Sequence, residues 1–262
     1  WCDGVPGNNA DIYIPPGITV HVTSPASSPV ICRDLKVAGN LIIDAGAALT
    51  VYGELSLAGD GNLYIYNAKN MTSPDIDDGI ASLITNSPVK ANFQFFLDGD
   101  TLNDCMWDYF SPPVRELDVS TFTDSGYEPA QFIESLVTDT VPPIESCTER
   151  GWVSWNNRRY FNDSCKTIQD YSFNSHSVGK GYNLRHGRPT TYNFSGTLNI
   201  ICPLIDLACT GEPGCRTGYN LIGNPFSCWI NIGEMFRDPE WSSTVHKTVW
   251  FIRDGKWHVW AN

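Results

Sequence analysis

The chain has 262 residues, which is enough for one or two domains with a buried core. Its 17 Lys and Arg against 29 Asp and Glu give a net charge of −12, which argues against a nucleic-acid partner and against binding to anionic membrane surfaces. Charged residues make up only 18% of the chain, which contains 22 Gly and 17 Pro. This composition is typical of a turn-rich all-β protein.

A leucine repeat dominates the first seventy residues. Apolar residues spaced by one recur at steps of six or eight residues, with glycines between them, as Leu35-x-Val37, Leu41-x-Ile43, Leu49-x-Val51, Leu55-x-Leu57 and Leu63-x-Ile65. Residues two apart in a strand point to one face, and glycine suits the tight turns between short strands. The repeat predicts a short β-solenoid, resembling a β-helix, over residues 1–70. An antiparallel β-meander is the alternative that the same spacing permits.

The repeat stops after residue 70. Residues 71–90 are rich in Ser-Pro steps and acidic residues and are predicted to be a linker or long loop. Residues 91–262 combine aromatic-rich strand patterns with many turn signals and are predicted to form a β-sandwich-like domain. Short helices are predicted only at residues 128–136 and 232–236.

An internal duplication is predicted within this second domain, with halves at about 91–201 and 202–262. Residues 107–114 and 219–226 share a plan in which an aromatic residue opens a strand that ends in a small residue and a proline. Each is followed by a tryptophan-rich stretch that is predicted to form a β-hairpin. The two hairpins span residues 152–161, turning at Asn-Asn, and residues 249–260, turning at Asp-Gly.

Nine cysteines are scattered along the chain, and none lies in a Cys-x-x-Cys pair. This spacing argues against zinc ribbons and thioredoxin-type motifs and favours disulfides in an oxidising compartment. The chain starts without a basic, apolar leader and lacks the roughly 18 apolar residues of a membrane helix, so we expect a mature soluble part of an exported protein. The predicted pairs are Cys2 with Cys32, Cys147 with Cys165, Cys209 with Cys215 and Cys202 with Cys228, which leaves Cys105 unpaired.

Three motifs follow one another in the second domain: Gly-Lys-Gly-Tyr at 179–182, Phe-Ser-Gly-Thr-Leu-Asn at 194–199 and Gly-Tyr-Asn-Leu-Ile-Gly-Asn-Pro-Phe at 218–226. This run, with the preceding leucine repeat, resembles large secreted surface proteins of Bacteroidetes that the type IX secretion system exports. The resemblance implies a protein of the cell surface or the extracellular space. It also implies O-glycosylation at Asp-Ser/Thr followed by an apolar residue, and Thr101 and Thr140 fit that pattern.

Catalytic and metal-binding signatures are sparse. The five histidines are dispersed, and no serine-hydrolase elbow, zinc-protease motif or phosphate-binding loop occurs in the sequence. Asp98, Asp100 and Asp104 offer oxygens for Ca²⁺, or a carboxylate pair for glycoside hydrolysis, although such a cluster is also typical of a solvated acidic loop. We predict no cofactor, with calcium at these three residues as the alternative.

Aromatic residues of the first predicted hairpin are candidates for sugar binding. Trp152, Trp155 and Tyr160 offer flat faces on which the apolar side of a sugar ring can stack. Alternation along a hairpin lets only half of its side chains point outward, and the other half belong to the core. These residues therefore predict either a glycan contact or ordinary packing.

The leading prediction is a non-enzymatic extracellular surface protein that acts in adhesion, surface-layer assembly or filament assembly. The alternative is a glycan-binding or glycan-degrading accessory protein. The second predicted half ends directly after its hairpin, which leaves the last strand without the partner that the first half supplies. We therefore predict self-association by strand addition, with glycans as a second kind of partner and with neither nucleic acid nor membrane insertion.

Overall fold

The computed structural model describes residues 7–25, 27–67, 79–97, 106–123, 129–136, 151–155, 160–162, 167–169, 172–186, 189–209, 218–246, 248–253 and 256–261. Strands dominate this part of the chain, which contains only two short α-helices, so the predicted all-β class is confirmed. The chain divides into two compact units, residues 1–227 and 228–262.

The first unit opens with nine short strands in parallel pairing. They are β1 (Asp11–Ile14), β2 (Thr19–Val22), β3 (Val30–Cys32), β4 (Asp34–Val37), β5 (Asn40–Ile43), β6 (Ala48–Val51), β7 (Leu55–Leu57), β8 (Asn62–Asn67) and β9 (Ser82–Thr85). Each strand pairs with the one three positions along the chain, in the orders β1-β4-β7, β2-β5-β8 and β3-β6-β9. This connectivity is the one that stacked three-strand coils require, whereas a meander pairs consecutive strands antiparallel.

The aliphatic residues of the repeat form the core of this region. In the first sheet, Ile12 lies opposite Leu35, which in turn lies opposite Leu55, so equivalent side chains stack from strand to strand. The residues with exposed fractions of 0–2% are Leu35, Val37, Leu41, Ile43, Leu49, Val51, Leu55, Leu63 and Ile65. The spacing by one residue therefore predicted the inward face correctly at these nine positions, because side chains alternate along a strand, and Leu57, the remaining residue of the repeat, is partly buried against the same core.

Turn glycines in this region serve two different purposes. Gly46 has a φ of 79°, the left-handed conformation that the repeat predicted for its turns. Gly39 is required for space instead, since a Cβ there would overlap the carbonyl oxygens of Ile18 and Pro15. Close approach of the backbone, as well as positive φ, thus selects glycine between the strands.

The predicted linker at residues 71–90 contains a strand. Within its described part, β9 pairs in parallel with β6, and Leu83 is 2% exposed. The hydroxyl Oγ of Ser87 accepts a hydrogen bond of 2.8 Å from the backbone N–H of Leu55. Leu83 extends the aliphatic stack of the preceding strands, so burial of this apolar segment outweighs the loop signals around it.

The described residues of the first unit contain ten further strands. They are β10 (Lys90–Leu97), β11 (Met106–Phe110), β12 (Leu117–Asp118), β13 (Pro129–Phe132), β14 (Trp152–Ser154), β15 (Tyr160–Asn162), β16 (Thr167–Gln169), β17 (Ser175–His176), β18 (Tyr182–His186) and β19 (Thr190–Thr197). β10 adds to β8 in parallel and to β19 antiparallel, which gives a five-stranded sheet in the order β19-β10-β8-β5-β2. We call residues 11–97 the parallel-strand region.

The remaining strands form an antiparallel sheet in the order β11-β18-β13-β14 and two small sheets, β12-β17 and β15-β16. The predicted hairpin at 152–161 is not formed, because Trp152 lies opposite Phe132 and Phe161 lies opposite Ile168. The predicted helix at 128–136 is instead β13 followed by a 3-10 helix at Glu134–Leu136. Pairing of β13 on both sides, with β14 and β18, outweighs the local helical preference.

An aromatic cluster joins the antiparallel sheet to the five-stranded sheet. Phe110 of β11 contacts Phe122, with ring centroids 4.8 Å apart, and Phe95 of β10, at 5.2 Å. Phe93 and Phe194 stack across β10 and β19 at 5.2 Å. One hydrophobic core therefore runs from the parallel strands into residues 106–198, across the predicted boundary at 71–90.

The second unit contains α1 (Ile232–Met235), α2 (Pro239–Thr244), β20 (Thr248–Arg253) and β21 (Lys256–Ala261). The helix predicted at 232–236 is confirmed, with Asn231 as its N-cap. β20 and β21 pair antiparallel, with Trp250 opposite Val259, which confirms the second predicted hairpin. Its Asp-Gly turn lies outside the described residues.

Candidate functional site

A groove with a volume of about 380 Å³ lies on the five-stranded sheet. Its floor includes Phe93 and Phe194, which are 3% and 9% exposed and belong to the core. The other lining residues alternate with core residues along β8, β10 and β19 and therefore point away from the core. These residues, which we call the tyrosine–amide face, are Tyr64, Tyr66, Asn92, Gln94, Asn193 and Ser195.

The register places these side chains in two rows across three strands. Asn92 lies opposite Tyr64 on one side and Ser195 on the other. Two residues further along the strands, Gln94 lies between Tyr66 and Asn193 in the same way. Neighbouring strands are about 4.8 Å apart, so each row brings one phenol ring and two hydrogen-bonding side chains within reach of a single bound molecule.

The polar groups of this face are largely available to a ligand. Asn92 donates from Nδ2 to the carbonyl oxygen of Leu63 at 3.2 Å, which leaves its Oδ1 as an acceptor. Within the described parts of the chain, no hydrogen bond occupies the side chains of Gln94, Asn193 or Ser195. Amides and hydroxyls both donate and accept, which matches the hydroxyl groups of a sugar.

A ladder of amides continues the polar surface onto the neighbouring strands. Asn62 donates from Nδ2 to Oδ1 of Asn40, and Asn40 donates from Nδ2 to Oγ1 of Thr19, both at 3.3 Å. At the same sheet edge, Nδ1 of His21 lies 3.1 Å from a carboxylate oxygen of Asp44. Polar side chains thus recur on the outer face of the sheet from β2 to β19, with Ile42 as an apolar neighbour of Tyr64.

The sequence contained part of the signal for this face. Leu63-x-Ile65 was identified as an inward pair, and the same alternation places Tyr64 and Tyr66 on the outer surface. The amide and hydroxyl partners were missed because Asn193 and Ser195 belong to a strand more than 120 residues away. Only the antiparallel pairing of β10 with β19 brings them beside the tyrosines.

The structure places the predicted sugar-stacking residues elsewhere. Trp152 is partly buried and stacks on Tyr109, with ring centroids 6.0 Å apart and planes 9° from parallel. Phe132 packs against it at 5.3 Å. The indole Nε1 of Trp155 is buried. One face of the Trp152 ring is therefore covered, and the structure assigns Tyr160 only a backbone position in β15.

Several predicted sites lie outside the described residues. These are the carboxylates Asp98, Asp100 and Asp104, the glycosylation candidates Thr101 and Thr140, and the cysteines Cys2, Cys105, Cys147, Cys165 and Cys215. Among the described residues, no three His, Cys, Asp or Glu side chains come together as a metal site.

The described cysteines are not paired as predicted. Cys32 is a free thiol at 0% exposure in the core, and Cys202 and Cys209 are exposed free thiols. The bridges from Cys32 to Cys2, from Cys209 to Cys215 and from Cys202 to Cys228 are therefore not formed in this structure. Burial, and then the charges of Asp34 and Asp11, raise the pKa of the Cys32 thiol to about 11. Its side chain belongs to the inward-facing stack of its strand, which explains its seclusion from solvent.

Parts of the three motifs between residues 179 and 226 pack against one another or against neighbouring segments. The backbone N–H of Gly223 donates to the carbonyl oxygen of Gly179 at 2.9 Å, and Lys180 forms an isolated antiparallel bridge with Ile222. A Cβ at Gly223 would overlap the side chain of Ser111, and one at Gly196 would come within 2.8 Å of Val114. These glycines permit close contact between segments, so the motifs build the fold of the first unit rather than an open site.

One buried histidine lies inside the aromatic cluster. His176 is 1% exposed, and its Nδ1 lies 3.2 Å from the carbonyl oxygen of Leu117. Burial lowers the pKa of His176 to about 4, so the ring is neutral at pH 7. The ring meets Phe122 and Tyr182 edge to face, at 5.3 and 4.5 Å. This enclosure gives His176 a structural role.

No protein-family model, curated protein or solved structure matches this chain. In the described part of the chain, none of the helices has the length and apolar character needed to cross a membrane. The tyrosine–amide face is therefore interpreted from its own geometry and chemistry.

Proposed function

We propose that this protein is a non-enzymatic extracellular module that binds glycans through the tyrosine–amide face. The extracellular location is supported by the motif run that resembles exported surface proteins of Bacteroidetes. In this proposal the parallel-strand region is a short solenoid, and this rigid support holds its outward side chains at fixed spacing. Adhesion to a polysaccharide or a glycosylated surface is the corresponding biological role.

The single observation that carries this proposal is the pair of tyrosine rings beside hydrogen-bonding side chains. Tyr64 and Tyr66 offer ring faces for the apolar side of sugars, while Asn92, Gln94 and Asn193 offer donors and acceptors for the hydroxyl groups. The groove volume, about 380 Å³, lies in the range of about 300–1,000 Å³ found for small-molecule sites. Its shallow position on a sheet suits one segment of a longer chain.

A glycan array followed by calorimetry tests this function. The double substitution Tyr64→Ala with Tyr66→Ala is expected to weaken binding of the array hits by at least about tenfold, because it removes both ring faces. The matched control is Tyr13→Ala with Tyr52→Ala, since these two tyrosines are exposed in the same region but lie off this face. Unchanged binding in the first variant, or equal losses in both, contradicts the proposal.

A second proposed function is self-association by strand addition at the second unit. Among the described residues, β21 has only β20 as a partner strand, and Trp250 and Val259 lie opposite each other at 48% and 50% exposure. An unpaired strand edge beside exposed apolar side chains favours pairing with another chain.

Light scattering after size exclusion tests the self-association. The native chain is expected to form oligomers as its concentration rises, and Val259→Lys is expected to shift it toward monomer because a charge would be buried at the new contact. Tyr13→Lys, at an exposed site of the first unit, is the control. A native chain that stays monomeric at high concentration contradicts this second function.

A further inference from the structure

The tyrosine–amide face also contains information about the class of glycan. None of its six side chains carries a formal charge, and the chain as a whole has a net charge of −12. A carboxylated or sulfated polysaccharide would find no cation among these six side chains and would be repelled by the net charge of the protein, while the neighbouring cation on this side of β10 is Lys90, two residues before Asn92. The chemistry therefore selects an uncharged glycan.

The two tyrosine rings define the relative orientation of successive sugars. Their centroids are 6.3 Å apart, and their planes are inclined by 59°. A sugar that stacks on an aromatic ring lies parallel to it, so two sugars on Tyr64 and Tyr66 must themselves be strongly inclined. A flat, ribbon-like chain such as a β-1,4-glucan keeps its successive rings nearly coplanar and can stack on only one of the two.

Asn92 and Gln94, which lie along β10, restrict the orientation of the bound glycan chain. Tyr64 and Tyr66 are two residues apart on β8, and Asn92 and Gln94 run alongside them on β10. A glycan chain that contacts both tyrosines therefore runs along the strands. The faces of its sugars stack on the rings, and the hydroxyl groups along one side of the chain reach the amides. Each sugar then receives one stacking contact and one set of hydrogen bonds.

We propose that the tyrosine–amide face recognises an uncharged glycan with a coiled chain, such as a β-1,3- or α-1,4-glucan, in which successive sugars are inclined. This inference rests on the proposed glycan-binding function and specifies its ligand. The two tyrosines act as two stacking subsites that a coiled chain fills together.

The experiment compares four probes by calorimetry on the full chain: laminarihexaose, maltohexaose, cellohexaose and a hexamer of galacturonic acid. At least one of the two coiled glucans is expected to bind about tenfold more tightly than cellohexaose, and the galacturonic acid hexamer is expected not to bind. A tenfold ratio corresponds to about 1.4 kcal/mol. Equal or tighter binding of cellohexaose, or binding of the acidic hexamer, overturns the inference.

Substitutions separate this inference from the general function. Tyr64→Ala and Tyr66→Ala are each expected to weaken the preferred coiled glucan about tenfold and to reduce its advantage over cellohexaose, whereas Tyr64→Phe with Tyr66→Phe keeps both ring faces and retains the preference. If cellohexaose binds as well as the coiled glucans and still depends on the tyrosines, the coiled-chain inference fails while glycan binding stands. If no neutral glycan binds, both fail. Melting temperatures of all variants identify any loss of folding.

Discussion

The parallel-strand region and the rest of the first unit from residue 106 to residue 198, which we call the antiparallel region, are built on different kinds of core. The parallel strands bury a stack that consists mainly of aliphatic side chains, beside which Phe93 and the small polar residues Thr50 and Ser82 are also buried. The antiparallel sheet surrounds Phe110 and Phe122 with other rings, and it buries polar groups such as His176 and Gln131 within this packing. Repetition builds the first core, whereas individual fit between unlike side chains builds the second.

This difference between the cores predicts that the two regions tolerate substitutions at different kinds of position. In most strands of the parallel-strand region, core and surface positions alternate, although all four residues of β6 are buried. In the antiparallel region a side chain is tied to particular neighbours, as Val114 is to Gly196, so the cost of a change depends on that one contact. The first region therefore supplies the regular outer surface on which the proposed binding site lies, and the second packs against it.

The largest expected effect concerns the reactivity of thiols. An ordinary cysteine has a pKa of about 8.5, so at pH 8 the thiolate fraction of Cys32, with a pKa of about 11, is smaller by about two-hundredfold. We expect a thiol reagent to label the exposed Cys202 and Cys209 in the folded protein, and Cys32 only after denaturation. Mass spectrometry of labelled peptides measures this.

The same labelling experiment tests the predicted disulfides. If denaturation without a reducing agent leaves Cys32 unlabelled, the thiol is already paired, as the predicted bridge to Cys2 requires. Rapid labelling of Cys32 in the folded protein would instead contradict its place in the aliphatic core. Cys32→Ala assigns the signal without adding a polar group to that core.

The next largest effect is the loss of a core leucine. Leu63→Ala removes a side chain at 0% exposure and is expected to lower the free energy of unfolding by about 2–5 kcal/mol, since a cavity remains in the aliphatic stack. Its neighbour Tyr64 points to the opposite face, and Tyr64→Ala is expected to cost much less. Denaturant titration compares the two. Similar losses for both would contradict the alternation of inner and outer positions.

In the antiparallel region the largest expected effect is a dependence on pH. The folded pKa of His176, about 4, lies below the unfolded value of about 6.5. The unfolded state therefore takes up a proton first as the pH falls, so stability is complete above pH 6.5 and declines toward pH 4. The full loss is about 3 kcal/mol.

Substitution of His176 measures the contribution of this residue to the dependence of stability on pH. His176→Phe is expected to fit among the surrounding rings and to reduce the slope of stability against pH between 6.5 and 4, as measured by urea titrations at several pH values. His21→Ala, which removes an exposed histidine from the parallel-strand region, is the control. An unchanged slope in the His176 variant would contradict the buried, neutral state of this ring.

The smallest of these effects concerns close contact between segments. Gly223→Ala forces a Cβ into the side chain of Ser111 and is expected to cost about 1–3 kcal/mol, because this packing leaves no room for the extra carbon. Gly7→Ala, where no atom lies within 4 Å, is expected to be nearly neutral. Thermal melts distinguish the two. Equal melting temperatures of the two variants would show that the segments containing Gly223 and Ser111 can move apart without loss of stability.

The sequence by itself determined the features that depend on local spacing. The inward leucine stack follows from alternation along a strand, and the hairpin of β20 and β21 follows from an Asp-Gly step between two apolar runs. Both need only neighbours in the chain. The same alternation placed Tyr64 and Tyr66 on the outer face, although their role was not identified.

Only the tertiary structure decided which distant segments pair. The stretch predicted as a linker became β9, and β14 paired with β13 instead of β15, because buried pairing across the sheet outweighs local turn signals. The candidate site depends on the same choice, since the antiparallel register of β10 and β19 places Asn193 and Ser195 beside side chains encoded more than 95 residues earlier. The local spacing of residues does not determine such a register. Burial of Phe93 against Phe194 on the inner side of the sheet sets it.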